Sequence, residues 1–320
     1  MRAGPPPTGI SKYNAAAHAS SARVIELYST SFGLAARLLE PRVRVHVRTI
    51  YALVRIADEI VDGAAAGAGI DEAGQRTLLD DLEREVALTL DRGFSTNLVV
   101  HAFGLTARAC GIDATLTAPF FASMRRDLDP APFTEAGVAE YIYGSAEVIG
   151  LMCLRTFLQA APPTPTLQHD LENGARHLGA AFQKINFLRD LAADHEALGR
   201  NYFPGVDLRR MTDADRDRIL DDIDVDLVTA ERVLALLPPG SRRAVAAAHG
   251  LFAELAVRLR ATPATQLLRS RVRVSDPRKL VIAVRAVVTR APRSLHLSGP
   301  HTSPSQTTPP QSSPPQTTQR

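Results

Sequence analysis

Across residues 15–290, apolar residues recur three and four positions apart. That spacing gathers them on one face of a helix with 3.6 residues per turn, so the chain is expected to be almost entirely helical. Pro and Gly mark the interruptions. Helices are expected over 15–39, 42–62, 77–90, 97–109, 116–128, 133–158, 167–197, 212–237, 241–259 and 276–290, with 265–273 undecided. The hydroxyls of Ser29, Thr30 and Ser31 fall in the middle of the first, where propensity does not place them. At 320 residues and 45% apolar content, a large core is within reach. One domain over 15–290 is expected, with a flexible lead over 1–14 and a tail over 291–320. The tail is Ser, Thr, Pro and Gln without an acidic residue, a composition that cannot bury a core.

Charge narrows the partners. The formal net charge is +3, and acidic and basic residues alternate along helices rather than forming blocks. Nucleic acid is therefore not expected, whereas an anionic small substrate or a membrane surface is compatible. Cys110 and Cys153 sit in apolar contexts and read as reduced core residues, not as a disulfide framework. No run of about 18 uncharged apolar residues exists to span a bilayer. The opening Gly4-Pro5-Pro6-Pro7 is no secretory signal. The run G-A-A-A-G-A-G at 63–69 follows a helix rather than a strand and has the wrong spacing for a nucleotide loop.

Two stretches stand out. In 183–194, Q-K-I-N-F-L-R-D-L-A-A-D, winding at 100° per residue puts Asn186, Asp190 and Asp194 within about 80° of one another. Gln183 shares that stripe and Arg189 lies beside it. Alone, such a stripe reads as the wet face of an amphipathic helix. In 48–62, R-T-I-Y-A-L-V-R-I-A-D-E-I-V-D, the residues Asp58, Asp62, Tyr51, Arg55 and Arg48 share one side. Asp222 and Asp226 repeat the D-x-x-x-D spacing without an amide or phenol beside them, and read as solvated surface.

The residue types suit one chemistry. Mg²⁺ takes oxygen ligands, keeps several waters and is held by a few carboxylates plus substrate phosphates. Two facing acidic helices repel unless cations lie between them. Arginines offer forked donors to phosphate oxygens. Together these groups draw charge off a diphosphate leaving group, and the apolar walls of a helical bundle shelter the resulting carbocation.

At these residues the chain resembles the squalene/phytoene synthase family. The match is carried by Ser29-Thr30-Ser31-Phe32 with the first stripe, and by Q-x-x-N-x-x-R-D-x-x-x-D followed by G-R-x-Y-F-P. It covers 15–290, and N-F-L-R-D-L-A-A-D, L-G-R-N-Y-F-P-G-V-D and R-V-R-V-S-D-P-R-K-L look most like bacterial phytoene synthases of the actinobacterial type. The resemblance implies an all-α isoprenoid-synthase fold around a central cavity. It also implies head-to-head condensation of two geranylgeranyl diphosphates through a cyclopropyl diphosphate, in carotenoid biosynthesis. Alternatives are squalene, hydroxysqualene or dehydrosqualene synthesis from farnesyl diphosphate, and a non-enzymatic assembly factor on the same fold.

Carried over by motif, Asp58, Asp62, Asn186, Asp190 and Asp194 are the implied ligands of Mg²⁺, or of Mn²⁺. Ser29, Ser31, Tyr51, Arg55, Gln183 and Arg189 are the implied diphosphate contacts. Tyr141 is expected to line the cavity, where small Gly144, Ser145, Ala146 and Gly150 leave room for prenyl chains. Glu147 is expected to be paired or to face the surface. No NADPH is expected. Arg271, Arg273, Lys279 and Arg285 suit either a solvated face or contact with diphosphate or lipid headgroups. A cytoplasmic protein is expected, with peripheral contact to the inner face of the membrane and with downstream carotenoid enzymes.

Overall fold

The computed structural model describes residues 9–129, 131–198 and 201–288; the side chains of Thr30, Ser31, Arg209, 192–198 and 287–288 lie outside that description. Fourteen α-helices are described, with no strand among the described residues. They are α1 (Gly9–Tyr28), α2 (Thr30–Arg37), α3 (Pro41–Val61), α4 (Ala64–Gly67), α5 (Glu72–Arg92), α6 (Leu98–Cys110) and α7 (Ala114–Arg126), then α8 (Glu135–Ile142), α9 (Val148–Leu158), α10 (Pro165–Leu198), α11 (Asp213–Leu234), α12 (Pro239–Arg260), α13 (Ala264–Leu267) and α14 (Asp276–Val288). A π-helical turn, Tyr143–Glu147, joins α8 to α9.

Local chemistry accounts for many boundaries. Thr134 caps α8 by accepting from Gly137 N at 3.0 Å, and Asn97 caps α6 through the amides of Val99 and Val100. Thr212 and Asp215 form a reciprocal capping box at the head of α11. Pro41 opens α3 at a position whose N–H has no partner within the helix.

The structure departs from expectation at four points. The first helix begins at Gly9, inside the expected lead, because Tyr13 and Asn14 are tied to the α5–α6 connection and α6. The Tyr13 hydroxyl donates to Ser95 O at 2.9 Å, and Asn14 Oδ1 lies 2.8 Å from His101 Nε2. That helix also breaks at Ser29, which turns extended (φ −140, ψ 114) and accepts from Phe32 N at 3.1 Å, so its hydroxyl starts α2 rather than interrupting a continuous helix. Part of the expected loop over 63–74 is helical, with Asp71 capping α5. Pro119, expected in a first turn, lies inside α7, which Asp113 caps earlier. The expected tail lies outside the described residues.

Two apolar cores build the molecule. One joins α3, α5, α6, α7 and α9 around Leu53, Phe103, Phe120 and Phe121. The other joins α8, α10, α11 and α12 around Ile185, Leu188, Leu220 and Ile223. α10, of 34 residues, packs most extensively on α11 and also along α9. Smaller clusters around Ile25, Leu39, Leu154 and Leu234 continue this packing.

Candidate active site

A cavity of about 320 Å³ lies among α1, α2, α3, α9, α10, α11 and α12. Tyr51, Gln183 and Asn186 supply polar groups to its wall. Leu154, Phe157, Leu171, Leu234 and Leu237, which pack on one another, line it farther along α10. The α10 residues on the wall run from Leu171 to Asn186, about 22 Å at 1.5 Å per residue. Ser145, Ala146 and Gly150 line the wall as expected. Gly144 does not: it presses on α7, where a side chain would collide with the Pro119 carbonyl and the Ser123 hydroxyl.

The first stripe sits on the last turns of α3. Arg55 Nη1 lies 2.8 Å from Asp58 Oδ2, and Arg55 also pairs with Glu59. The Arg55 guanidinium stands over the Tyr28 ring at 4.5 Å. The Tyr51 pKa is raised, chiefly by burial, with the Ser29 side chain and Arg55 pulling the other way. Sequence reasoning missed Glu59; its place one turn after Arg55 was the available signal. Asp62 ends α3, with its amide bonded to Asp58 O at 2.8 Å.

The second stripe runs along α10. Arg189 Nε and Nη2 grip Asp190 at 2.9 and 2.5 Å. Arg271, from the segment before α14, reaches the same carboxylate at 2.6 Å. The Arg271 pKa is lowered, first by burial and then by the neighbouring charges of Arg189 and Arg273. A cluster of like charges of that kind is relieved by an anion rich in oxygen. Of the two expectations for Arg271, the structure places it with the second stripe.

Phe32 of α2 lies 6.4 Å from Tyr51 of α3 and 6.0 Å from Phe182 of α10 between ring centroids. Tyr51, Gln183 and Asn186 border the same space. Among the described residues, however, no three acidic, histidine or cysteine side chains converge as a metal site. Arginines hold Asp58 and Asp190 instead. The donor set nonetheless fits a hard cation that retains water and takes phosphate oxygens as further ligands, since it consists of carboxylates and one amide. The side chains of Ser31 and Asp194 lie outside the described residues.

Two expectations are corrected. Tyr141 is not on the cavity wall. It is buried, donates to Asp127 Oδ1 and Oδ2 at 2.8 and 3.0 Å, and stacks on Tyr202 at 5.5 Å. Its pKa is raised well above the ordinary tyrosine value by burial and then by Asp127, with Asp62 adding a smaller push. Asp226 is not solvated surface but 5% exposed. It sits 2.8 Å from Lys184 Nζ and 2.6 Å from His177 Nδ1, both on α10. Asp222 is exposed, as expected. Glu147 is paired, accepting from Arg176 Nε at 2.7 Å. Cys110 and Cys153 are free thiols pushed up by burial to about 11 and about 12.

Comparison with known proteins identifies the family. The squalene/phytoene synthase family model matches residues 25–278. The chain is 27% identical to the 15-cis-phytoene synthase of a Paracoccus species over 276 residues, 82% of this chain and 88% of that one. It is 28% identical to the phytoene synthase of Mycobacterium tuberculosis over 275 residues, 79% and 84% of the two chains. Among solved structures, a dehydrosqualene synthase superposes with a TM-score of 0.68 at 22% identity, covering 86% of this chain and 97% of the other. A squalene synthase from Alicyclobacillus acidocaldarius gives 0.66 at 19% identity, covering 78% and 94%. The protein belongs to the squalene/phytoene synthase family and is a prenyltransferase with the all-α isoprenoid-synthase fold.

Proposed function

We propose that the chain is a phytoene synthase, joining two geranylgeranyl diphosphates head to head and ending by proton loss. The observation that carries this reading is the cavity: apolar along α10, and bordered where Tyr51, Gln183 and Asn186 stand by two stripes that pair carboxylates with arginines. Its run of about 22 Å along α10 suits an extended C20 chain. The names of the phytoene synthase relatives support the same product.

Asp58, Asp62, Asn186, Asp190 and Asp194 would hold Mg²⁺. When bound, the cation neutralises phosphate charge and so favours departure of the diphosphate. Arg55, Arg189 and Arg271 then turn from carboxylates to phosphate oxygens, and Gln183, Ser29, Ser31 and Tyr51 orient the group by hydrogen bonds. The apolar wall excludes water from the allylic cation while the second substrate's double bond attacks it. Purified protein with Mg²⁺ and geranylgeranyl diphosphate, without NADPH, should yield a C40 hydrocarbon. Active, folded protein that gives C30 product from farnesyl diphosphate alone, or requires NADPH, contradicts the reading.

An oil-like product needs a lipid destination. Among the described residues no helix is long and apolar enough to cross a membrane. α14 exposes Leu280, Val281 and Val284 beside the exposed Arg285. That pattern suits shallow seating on an anionic surface. Flotation with anionic vesicles should recover the protein at low salt and less of it at high salt; recovery at neither excludes the contact.

A further inference from the structure

A second pocket, of about 330 Å³, is lined from α6, α7, α9 and α10. Cys110, Leu116, Leu151 and Leu158 give it an apolar lining, and Arg155 and Glu172 are among its polar groups. Among the described residues, Leu154 alone lines both this pocket and the cavity. Leu154 is 3% exposed, so it fills the gap between the two spaces.

The packing of α9 on α10 fixes the level of Leu154. A side chain on Gly179 would come within 2.6 Å of the Ala146 carbonyl, and one on Gly150 within 2.5 Å of the Ala175 carbonyl. From the first contact to the second, one strand of chain steps forward four residues and the other steps back four, so the two run antiparallel. Four residues farther, Leu154 comes level with Leu171, and both belong to one apolar cluster with Leu234 and Leu237. On α10 the cavity wall starts at Leu171 and ends at Asn186. Leu154 therefore stands at the end of the cavity opposite Asn186.

We propose that Leu154 is a specificity-determining residue that sets the longest prenyl chain the cavity accepts. This rests on the phytoene synthase reading. With its diphosphate held near Asn186, a C20 chain ends at Leu154 and Leu171. A C25 chain, one isoprene unit longer, meets Leu154, and a close-packed wall yields little to added methylenes. Behind Leu171 stand the packed side chains of its own cluster. Behind Leu154 lies the second pocket. Truncating Leu154 joins the two spaces, and the apolar lining of the second takes the extra unit.

The test is calorimetric titration, with Mg²⁺, of the non-ionising C20 and C25 prenyl thiodiphosphates. It compares wild type with Leu154→Ala, the milder Leu154→Val, and Leu171→Ala, which truncates the same end without opening the second pocket; thermal melts report folding. Wild type should bind the C25 compound at least about tenfold more weakly than the C20 compound. The C25-to-C20 affinity ratio should rise at least about tenfold in L154A and about two- to threefold in L154V, and stay within about twofold of wild type in L171A. Equal binding of the two compounds by wild type overturns the proposal, as does an unchanged ratio in folded L154A or an equal rise in L171A. If L154A does not fold, an unchanged ratio in L154V overturns it. Wild-type protein that forms no C40 hydrocarbon from geranylgeranyl diphosphate sinks the phytoene synthase reading instead, and the binding ratios still decide the role of Leu154.

Discussion

Asp190 and Asp226 are both carboxylates gripped by cations, yet they do different work. Asp190 stands one turn beyond the cavity-lining Asn186 on α10 and is shared by Arg189 and Arg271; a metal ion and a diphosphate can take over that pairing. Asp226 is sealed between α10 and α11 with Lys184 and His177, where no ligand is needed. Removing its charge leaves Lys184 only the exposed Asp222. Asp226→Asn should therefore lower unfolding free energy by about 2 kcal/mol in urea. Asp222→Asn should change it by less than about 0.5 kcal/mol. Equal effects would show that the buried pair contributes nothing special. The difference between the two aspartates was not legible in D-D-I-D-V-D, because it is set by side chains on another helix.

Among the helices, α10 and α3 were the most legible, since their periodicity, Pro41 and the stripes are local features. The break at Ser29 and the π turn were not. The first needs the hydroxyl to choose an amide over a helical position, and the second needs α7 and α10 pressing from opposite sides. The docking of α1 shows a further non-local effect. His18, His46 and His101 gather where α1 meets α3 and α6, and each has a pKa below the ordinary imidazole value, chiefly through burial. Their hydrogen-bond partners include Asn14, Thr106 and the Ser95 amide; the nearby Glu85 binds Arg92 and Ser95. The unfolded chain takes up protons near pH 6.5, before the folded one does. The stabilisation is therefore complete above about pH 6.5 and lost as pH falls through the lower folded values. Tm should drop between pH 7.5 and 5.5, and His46→Gln should flatten that slope. An unchanged slope would mean that the His46 site does not contribute.

For the whole molecule, the all-α architecture follows from the three-and-four spacing of apolar residues, and the family from two motifs. The cavity's extent did not follow, since seven helices contribute to its wall and their facing residues pair only in three dimensions. The position of Tyr141 behind that wall, bonded to Asp127, has the same origin. What unites these levels is the claim that α3 and α10 hold one diphosphate between them through a cation. Calorimetric titration of a prenyl thiodiphosphate, with and without Mg²⁺, tests that claim most directly in wild type, Asp58→Ala and Asp190→Ala. Binding should require Mg²⁺ and weaken at least tenfold in each variant, with folding retained. Equal binding without the metal, or binding indifferent to both substitutions, would contradict it.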